Sequence, residues 1–207
     1  MCNRVGGECG FERFRNVDVW LEWTTLEELE AALKGWKDDI DLWVYSKARI
    51  LFDSQNKIEN VLSRYRKYPK QIWLKKLFLY WFFATGCAPY DSGKAIQRGD
   101  LLTAQLYLNQ AIEYYTALIF IINRSFVPYR KWRLKELKKL AYVPHNYENT
   151  VTKVLTVKNW TKNEFEEKQT IILNMADLLK EKLQQAGVPR EKLENPWKFK
   201  VTYVPRV

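Results

Sequence analysis

Residues 123–132, Asn-Arg-Ser-Phe-Val-Pro-Tyr-Arg-Lys-Trp, place a carboxamide, a phenol, two guanidiniums, an ammonium and an indole within ten positions. They close an apolar run, Leu101 to Ile122, and open a basic one, Arg130 to Lys139. Pro128 cannot continue a helix, so donors and flat rings gather at a helix–helix corner, the kind of place where phosphate and sugar pockets form. Asn123 ends a buried helix, and its amide must find partners. Tyr129 offers a ring for stacking and a hydroxyl for bonding. Lys131 is a point charge suited to phosphate. Lys135 and Lys138 share its side of the helix and read as a solvated face. Trp132 reads as core.

A second group lies near the start. Val17-Asp18-Val19 sets a carboxylate between apolar neighbours on a strand, which on the residues alone reads as a surface acid on an edge strand. Glu22 shares its face but lies too far along the strand to act beside it. In Lys94 to Asp100, Arg98 reads on the sequence alone as a surface residue. Other signals fail. Gly6-Gly7-Glu8-Cys9-Gly10 lacks the Lys-Ser/Thr ending of a phosphate-binding loop, and Gly93-Lys94 lacks the upstream glycine. The single histidine, His145, cannot anchor a multi-histidine metal site. Three cysteines without metal-ligand spacing argue for a reducing compartment.

The elements that must hold these groups follow from periodicity. Asn16 to Trp23 alternates, predicting a strand with one buried face. Thr25-Leu26-Glu27-Glu28 is a capping box for a short helix through Leu33. Ala48 to Phe52 reads as a second strand, ended by a turn at Asp53-Ser54. From Pro69 the pattern is helical: to Ala84, a break at Gly86–Pro89, a short helix through Gln97, then Leu101–Ile122 capped by Asp100. Helices follow over Arg130–Ala141, near Asn149–Val157, and from Thr161 to Gln185, closed by Gly187 and Pro189. Trp197 to Tyr203 alternates like a strand or an extended arm. The class is α+β: a small α/β segment over residues 1–54 and a mainly helical bundle over residues 55–207.

Composition bounds the partners. Residues 1–55 hold 7 basic and 11 acidic residues, a net of −4, and the remainder 27 and 13, a net of +14. An acidic segment beside a basic body suits a cation in one part and a polyanion in the other. The longest nearly apolar stretch, Leu77 to Ala84, is far shorter than the ~20 residues of a membrane span. No signal-like run opens the chain, so the expected location is cytoplasmic, with no membrane partner.

These residues, in this order, resemble nucleotidyltransferases of the DNA polymerase beta superfamily, and in the helical part those related to kanamycin nucleotidyltransferase. The corner is similar to that of an uncharacterised prokaryotic branch carrying Leu-Asn-x-x-Tyr-x-Pro-x-x-Lys-Trp, departing from it at Ser125-Phe126. The strand of Asp18, the acidic helix Thr25–Leu33 and Leu51-Phe52-Asp53-Ser54 follow the order of the family's third carboxylate strand and its sequel. The resemblance covers about residues 16–141. It implies transfer of a nucleotidyl group from a nucleoside triphosphate to a hydroxyl acceptor. Asp18 would be one Mg²⁺ ligand, and Arg98, Asn123, Tyr129 and Lys131 would surround nucleotide or acceptor. A second register makes Val5-Gly6-Gly7 the start of the family's Gly-Ser signature, but the paired acid would then fall on Trp20. In either register the carboxylate set is incomplete, and most of the catalytic sheet is expected to precede residue 1. The site would need missing residues, a homodimer or a separate catalytic partner to hold Mg²⁺. The chain alone is expected to be truncated or degenerate and inactive. The alternative is a basic helical module that binds nucleic acid or docks a protein.

Overall fold

Arg15 and Asn16 both take left-handed backbone, φ 46° and 64°, the two-residue turn whose twist suits a tight hairpin. They join β1 (Cys9–Phe14) to β2 (Val17–Glu22), paired antiparallel with Phe14 opposite Val17 and Arg13 opposite Asp18. In the computed structural model residues 9–201 are described, so Val5–Gly7, on which the second register rests, lie outside them. The chain divides into two compact units, residues 1–67 and 68–207.

In the first unit the capping box forms as expected. The Glu28 N–H donates to Thr25 Oγ1 at 3.1 Å and the Thr25 N–H to Glu28 Oε2 at 2.8 Å, starting α1 (Leu26–Leu33). Asp38 caps α2 (Asp39–Ser46), accepting from the Ile40 and Asp41 N–H groups. The Asp53 carboxylate accepts from the Lys57 and Glu59 N–H groups at 3.0 and 2.9 Å, starting α3 (Lys57–Arg64). Arg64 ties α3 to Glu30 of α1 at 2.9 Å.

Two expectations fail here. Ala48 to Phe52 is irregular, with Leu51 90% and Phe52 81% exposed. A strand needs a ladder partner, and among the described residues the sheet holds only β1 and β2. The hairpin's apolar face, carrying Phe14, Val17, Val19, Leu21 and Trp23, is also open: Phe14, Val17 and Trp23 are exposed and the other two half-buried. β2 has no strand on its other edge among the described residues.

The second unit is helical. α4 (Lys70–Trp81) passes through a π-helical segment, Phe82–Cys87, into α5 (Ala88–Gln97) without the expected break. In an α-helix the Pro89 ring would strike the carbonyl four residues back. The wider turn, in which the Ala88 N–H reaches Phe83 O, removes that conflict. α6 (Leu101–Ile122) is the axis of the unit, packed against α4, α5, α8 (Tyr147–Leu155) and α9 (Lys162–Ala186). Leu108, Ala111, Tyr115, Leu118, Ile119 and Ile121 on it are wholly buried. Buried polar groups are used across helices. The Trp73 Nε1–H donates to Ile121 O at 2.6 Å, the Tyr115 hydroxyl to Ile172 O at 3.0 Å, and Lys168 to Gln105 Oε1 at 3.1 Å. Gly187 closes α9 at φ 101°. α7 (Arg130–Leu137) and α10 (Arg190–Glu194) are shorter. Of the C-terminal segment expected as a strand or an extended arm, Trp197 and Lys198 belong to a 3₁₀ turn, Pro196–Lys198, residues 199–201 form no strand, and the rest lies outside the described residues.

The caps make stability pH-dependent. The Thr25 N–H and hydroxyl hold Glu28 below the usual carboxylate range, the Lys158 and Asn159 N–H groups do so for Glu164, and Arg190 does so for Glu194. A folded value below the unfolded one gives stability that is present above the unfolded pKa, about 4, and lost as pH falls through the folded value. The urea midpoint should hold from pH 7 to about 5 and fall below about pH 4. Glu28→Gln with Glu164→Gln should flatten that fall; an unchanged slope would mean other carboxylates dominate it.

Candidate functional site at the corner between α6 and α7

The end of α6 is closed by side chains. Arg124 sits in left-handed backbone, φ 55°, where glycine is usual. The Ser125 N–H reaches Phe120 O and the Arg124 N–H reaches Ile121 O, and the Arg124 guanidinium lies 3.9 Å from the Trp73 ring centroid. Asn123 uses both amide hydrogens, donating to Ile119 O at 2.8 Å and Tyr142 O at 2.7 Å, while its Oδ1 accepts from the Tyr142 N–H at 2.9 Å. It therefore pins the segment after α7 to the end of α6, with one lone pair left on Oδ1.

Phe126, Val127 and Pro128 are buried and anchor the turn. Half-buried Tyr129 precedes α7, its carbonyl accepting from the Trp132 N–H at 2.8 Å. The Arg130 and Lys131 N–H groups have no acceptor among the described residues, which leaves the first turn of α7 with open donors. Lys131 is exposed and makes no ion pair among the described residues. Trp132 is not core: it is 40% exposed, with Lys135 at 5.0 Å over its ring. Lys138 is drawn 3.3 Å from Glu148.

The residues that sequence reasoning missed are Glu113 and Arg133. The Arg133 side chain is only 4% exposed, donating through Nη1 to Glu113 Oε2 at 3.0 Å and through Nε to Pro128 O at 3.1 Å. Its Nη2 has no acceptor among the described residues. Burial lowers its pKa and the Glu113 carboxylate opposes that shift. Exposed Arg130 meets the same carboxylate, 2.8 Å to Oε1. One glutamate on α6 thus holds two guanidiniums, one buried and one at the surface. Beside it the Tyr147 hydroxyl hydrogen-bonds the Thr116 hydroxyl, and burial pushes Tyr147 well above the usual phenol range. A groove of about 550 Å³ lined by Leu137, Lys138, Val143, Pro144 and Tyr147 lies toward the other end of α7.

The remaining expected residues lie elsewhere. Arg98 is exposed at the C-terminus of α5, and Asp100 next to it caps α6 through the Thr103 N–H at 3.1 Å. α6 has 22 residues, so Arg98 and Asn123 lie at opposite ends of a helix roughly 33 Å long at ~1.5 Å per residue. Asp18 belongs to the first unit, on the hairpin, 64% exposed and 3.7 Å from Arg13 Nε. No three His, Cys, Asp or Glu side chains among the described residues are grouped to hold a metal ion, so Asp18 by itself does not fit a two-cation site. No helix among the described residues is long and apolar enough to cross a membrane.

A family model described as a domain of unknown function, DUF4037, matches residues 38–133. No curated protein matches the chain. Among solved structures, a nucleotidyltransferase-like protein from Exiguobacterium sibiricum 255-15 is similar at TM-score 0.54 and 15% identity, covering 93% of this chain and 62% of that one. The chain thus spans less than two thirds of its structural neighbour. At that identity the likeness is one of fold alone.

Proposed function

We propose that this chain is the substrate-holding part of a nucleotidyltransferase of the DNA polymerase beta superfamily, akin to the helical part of the kanamycin enzymes. The reaction would be transfer of a nucleotidyl group from a nucleoside triphosphate to a hydroxyl acceptor. The observation that carries the reading is the first turn of α7, which has two open backbone N–H groups and carries Arg130 and Lys131, on a fold similar to a nucleotidyltransferase-like protein. Open N–H groups, the helix dipole and two cations make a phosphate site.

Arg130 is the exchangeable member. Arg133 is buried and must stay on Glu113. Arg130 is 71% exposed, so it can leave Glu113 for a phosphate without stranding a buried charge. Tyr129 lies where a ring could meet base or sugar, and the free lone pair of Asn123 could accept from a ribose hydroxyl. Mg²⁺ would enter only with carboxylates supplied from outside the described residues or by a partner chain. The open face and edge of the hairpin are where such a sheet would add.

Calorimetric titration with ATP and with adenosine tests the phosphate site. Lys131→Ala and Arg130→Ala should each weaken ATP, by the ~1.5–3 kcal/mol of a charged hydrogen bond, and leave adenosine unchanged. Tyr129→Ala should weaken both alike. A protein that binds neither ligand, or a Lys131→Ala variant indifferent to ATP, would remove the corner from consideration.

A further inference from the structure

A different face of the helical unit carries two aromatic rings that the fold holds in solvent. Trp197 is 57% and Tyr90 53% exposed, with ring centroids 5.6 Å apart. We propose that they form a stacking platform for the bases of single-stranded nucleic acid, with Lys94, Lys198 and Lys200 meeting its phosphates. The proposal is independent of the α7 corner.

Trp197 is fixed from behind. Its ring lies against the π-helical segment, where a Cβ on Gly86 would be 3.3 Å from Cζ2, and it meets Phe82 edge-on at 5.0 Å. The segment that keeps the helix continuous past Pro89 therefore also seats the tryptophan. Buried Pro196 and the Phe199 ring, 5.9 Å from Phe78, hold the chain on either side. A ring held this way loses little freedom when a ligand stacks on its open face.

The surroundings are cationic. The Lys94 ammonium lies 4.3 Å over the Tyr90 ring, and Lys198 and Lys200 are exposed beside Trp197 in sequence. Glu194 is engaged by Arg190 at 2.6 Å and Lys180 at 3.9 Å, and Asp91 follows Tyr90 in sequence. Flat rings flanked by lysines, on a part of the chain with a net charge of +14, match a polyanion that presents unpaired bases. A duplex hides those faces in its stack, which is why the occupant is single-stranded.

The test is fluorescence anisotropy of labelled twelve-nucleotide oligo-dT and oligo-U with the full chain at 50 and 300 mM NaCl. The chain should bind both, with affinity falling steeply as salt rises. Tyr90→Ala and Trp197→Ala should each weaken binding about tenfold or more. Lys94→Gln should flatten the salt dependence, and Trp160→Ala, which removes an equally exposed tryptophan elsewhere, should leave affinity within about twofold. If Trp197→Ala melts early through loss of its seat on Gly86, Tyr90→Ala, which leaves the Gly86 and Phe82 contacts of Trp197 in place, decides once its melting temperature is shown to be unchanged. The proposal is overturned by no binding at 50 mM NaCl, by a Tyr90→Ala variant that binds as before, or by an equal loss with Trp160→Ala. It is likewise overturned if AMP binds as tightly as the oligonucleotide, or if anionic phospholipid vesicles take up the protein through Trp197 while the oligonucleotides do not.

Discussion

Glu113→Ala should destabilise the chain by about 3–5 kcal/mol in urea, whereas Arg130→Ala should cost less than about 1 kcal/mol. Both guanidiniums meet the same carboxylate, so geometry alone would rank them together. Burial separates them: the Arg133 side chain is 4% exposed and that of Arg130 71%. Removing Glu113 leaves a buried cation with Pro128 O as its one remaining hydrogen-bond acceptor among the described residues, whereas removing Arg130 leaves the buried pair intact. Glu113→Ala combined with Arg133→Met should recover most of the loss, because the uncompensated charge goes with the carboxylate. Equal costs for Glu113→Ala and Arg130→Ala would mean that Arg133 reaches water, and that Arg130 is no more exchangeable than its neighbour.

That distinction was invisible in the chain itself. Arg133 stands in Arg-Lys-Trp-Arg-Leu-Lys, where a basic residue on a short helix reads as solvated, and periodicity marks which side a residue occupies without saying whether that side is covered. Trp132 shows the converse error: its size argued for the core, yet α7 turns it outward. Asn123 was legible as an amide needing partners. That those partners would be Ile119 and Tyr142, nineteen residues on, depends on tertiary packing.

Elements with local signals were read well. Thr25, Asp100 and Thr161 each accept from the N–H three residues on, and Gly187 ends α9, because caps are decided within one turn of chain. The apolar run that became α6 was equally plain. Long-range terms defeated the rest. Ala48 to Phe52 has strand-forming residues but no ladder partner, while Asp38 draws residues 39–46 into a helix that the weak apolar pattern had hidden. Pro89 and Gly86 spell a break, and a break follows only if the helix must stay α; packing against α6 keeps it continuous by widening the turn.

Residues 1–207 with Mg²⁺ and nucleoside triphosphates should release no pyrophosphate above background. Nucleotidyl transfer through divalent cations draws several kcal/mol of transition-state stabilisation from them, and each ~1.4 kcal/mol is a factor of ten in rate. Holding two such ions takes several carboxylates at one point. Asp18 stands on an exposed hairpin with Arg13 as its cross-strand neighbour, and no acidic group of the required size forms among the described residues. A loss of a thousandfold or more follows for the chain alone. If a second polypeptide supplies the sheet, adding it should raise pyrophosphate release, and Val17→Asp should block the rise by placing a charge on the open apolar face of the hairpin while leaving ATP binding at α7 untouched. Binding at α7 without release places the chain as a substrate-holding part, and release on addition of the partner that is lost with Asp18→Ala places Asp18 among the metal ligands. Robust Mg²⁺-dependent release from the chain alone that survives Asp18→Ala would overturn both the incomplete carboxylate set and the part given to Asp18, and would move the search for the reacting groups to the helical unit.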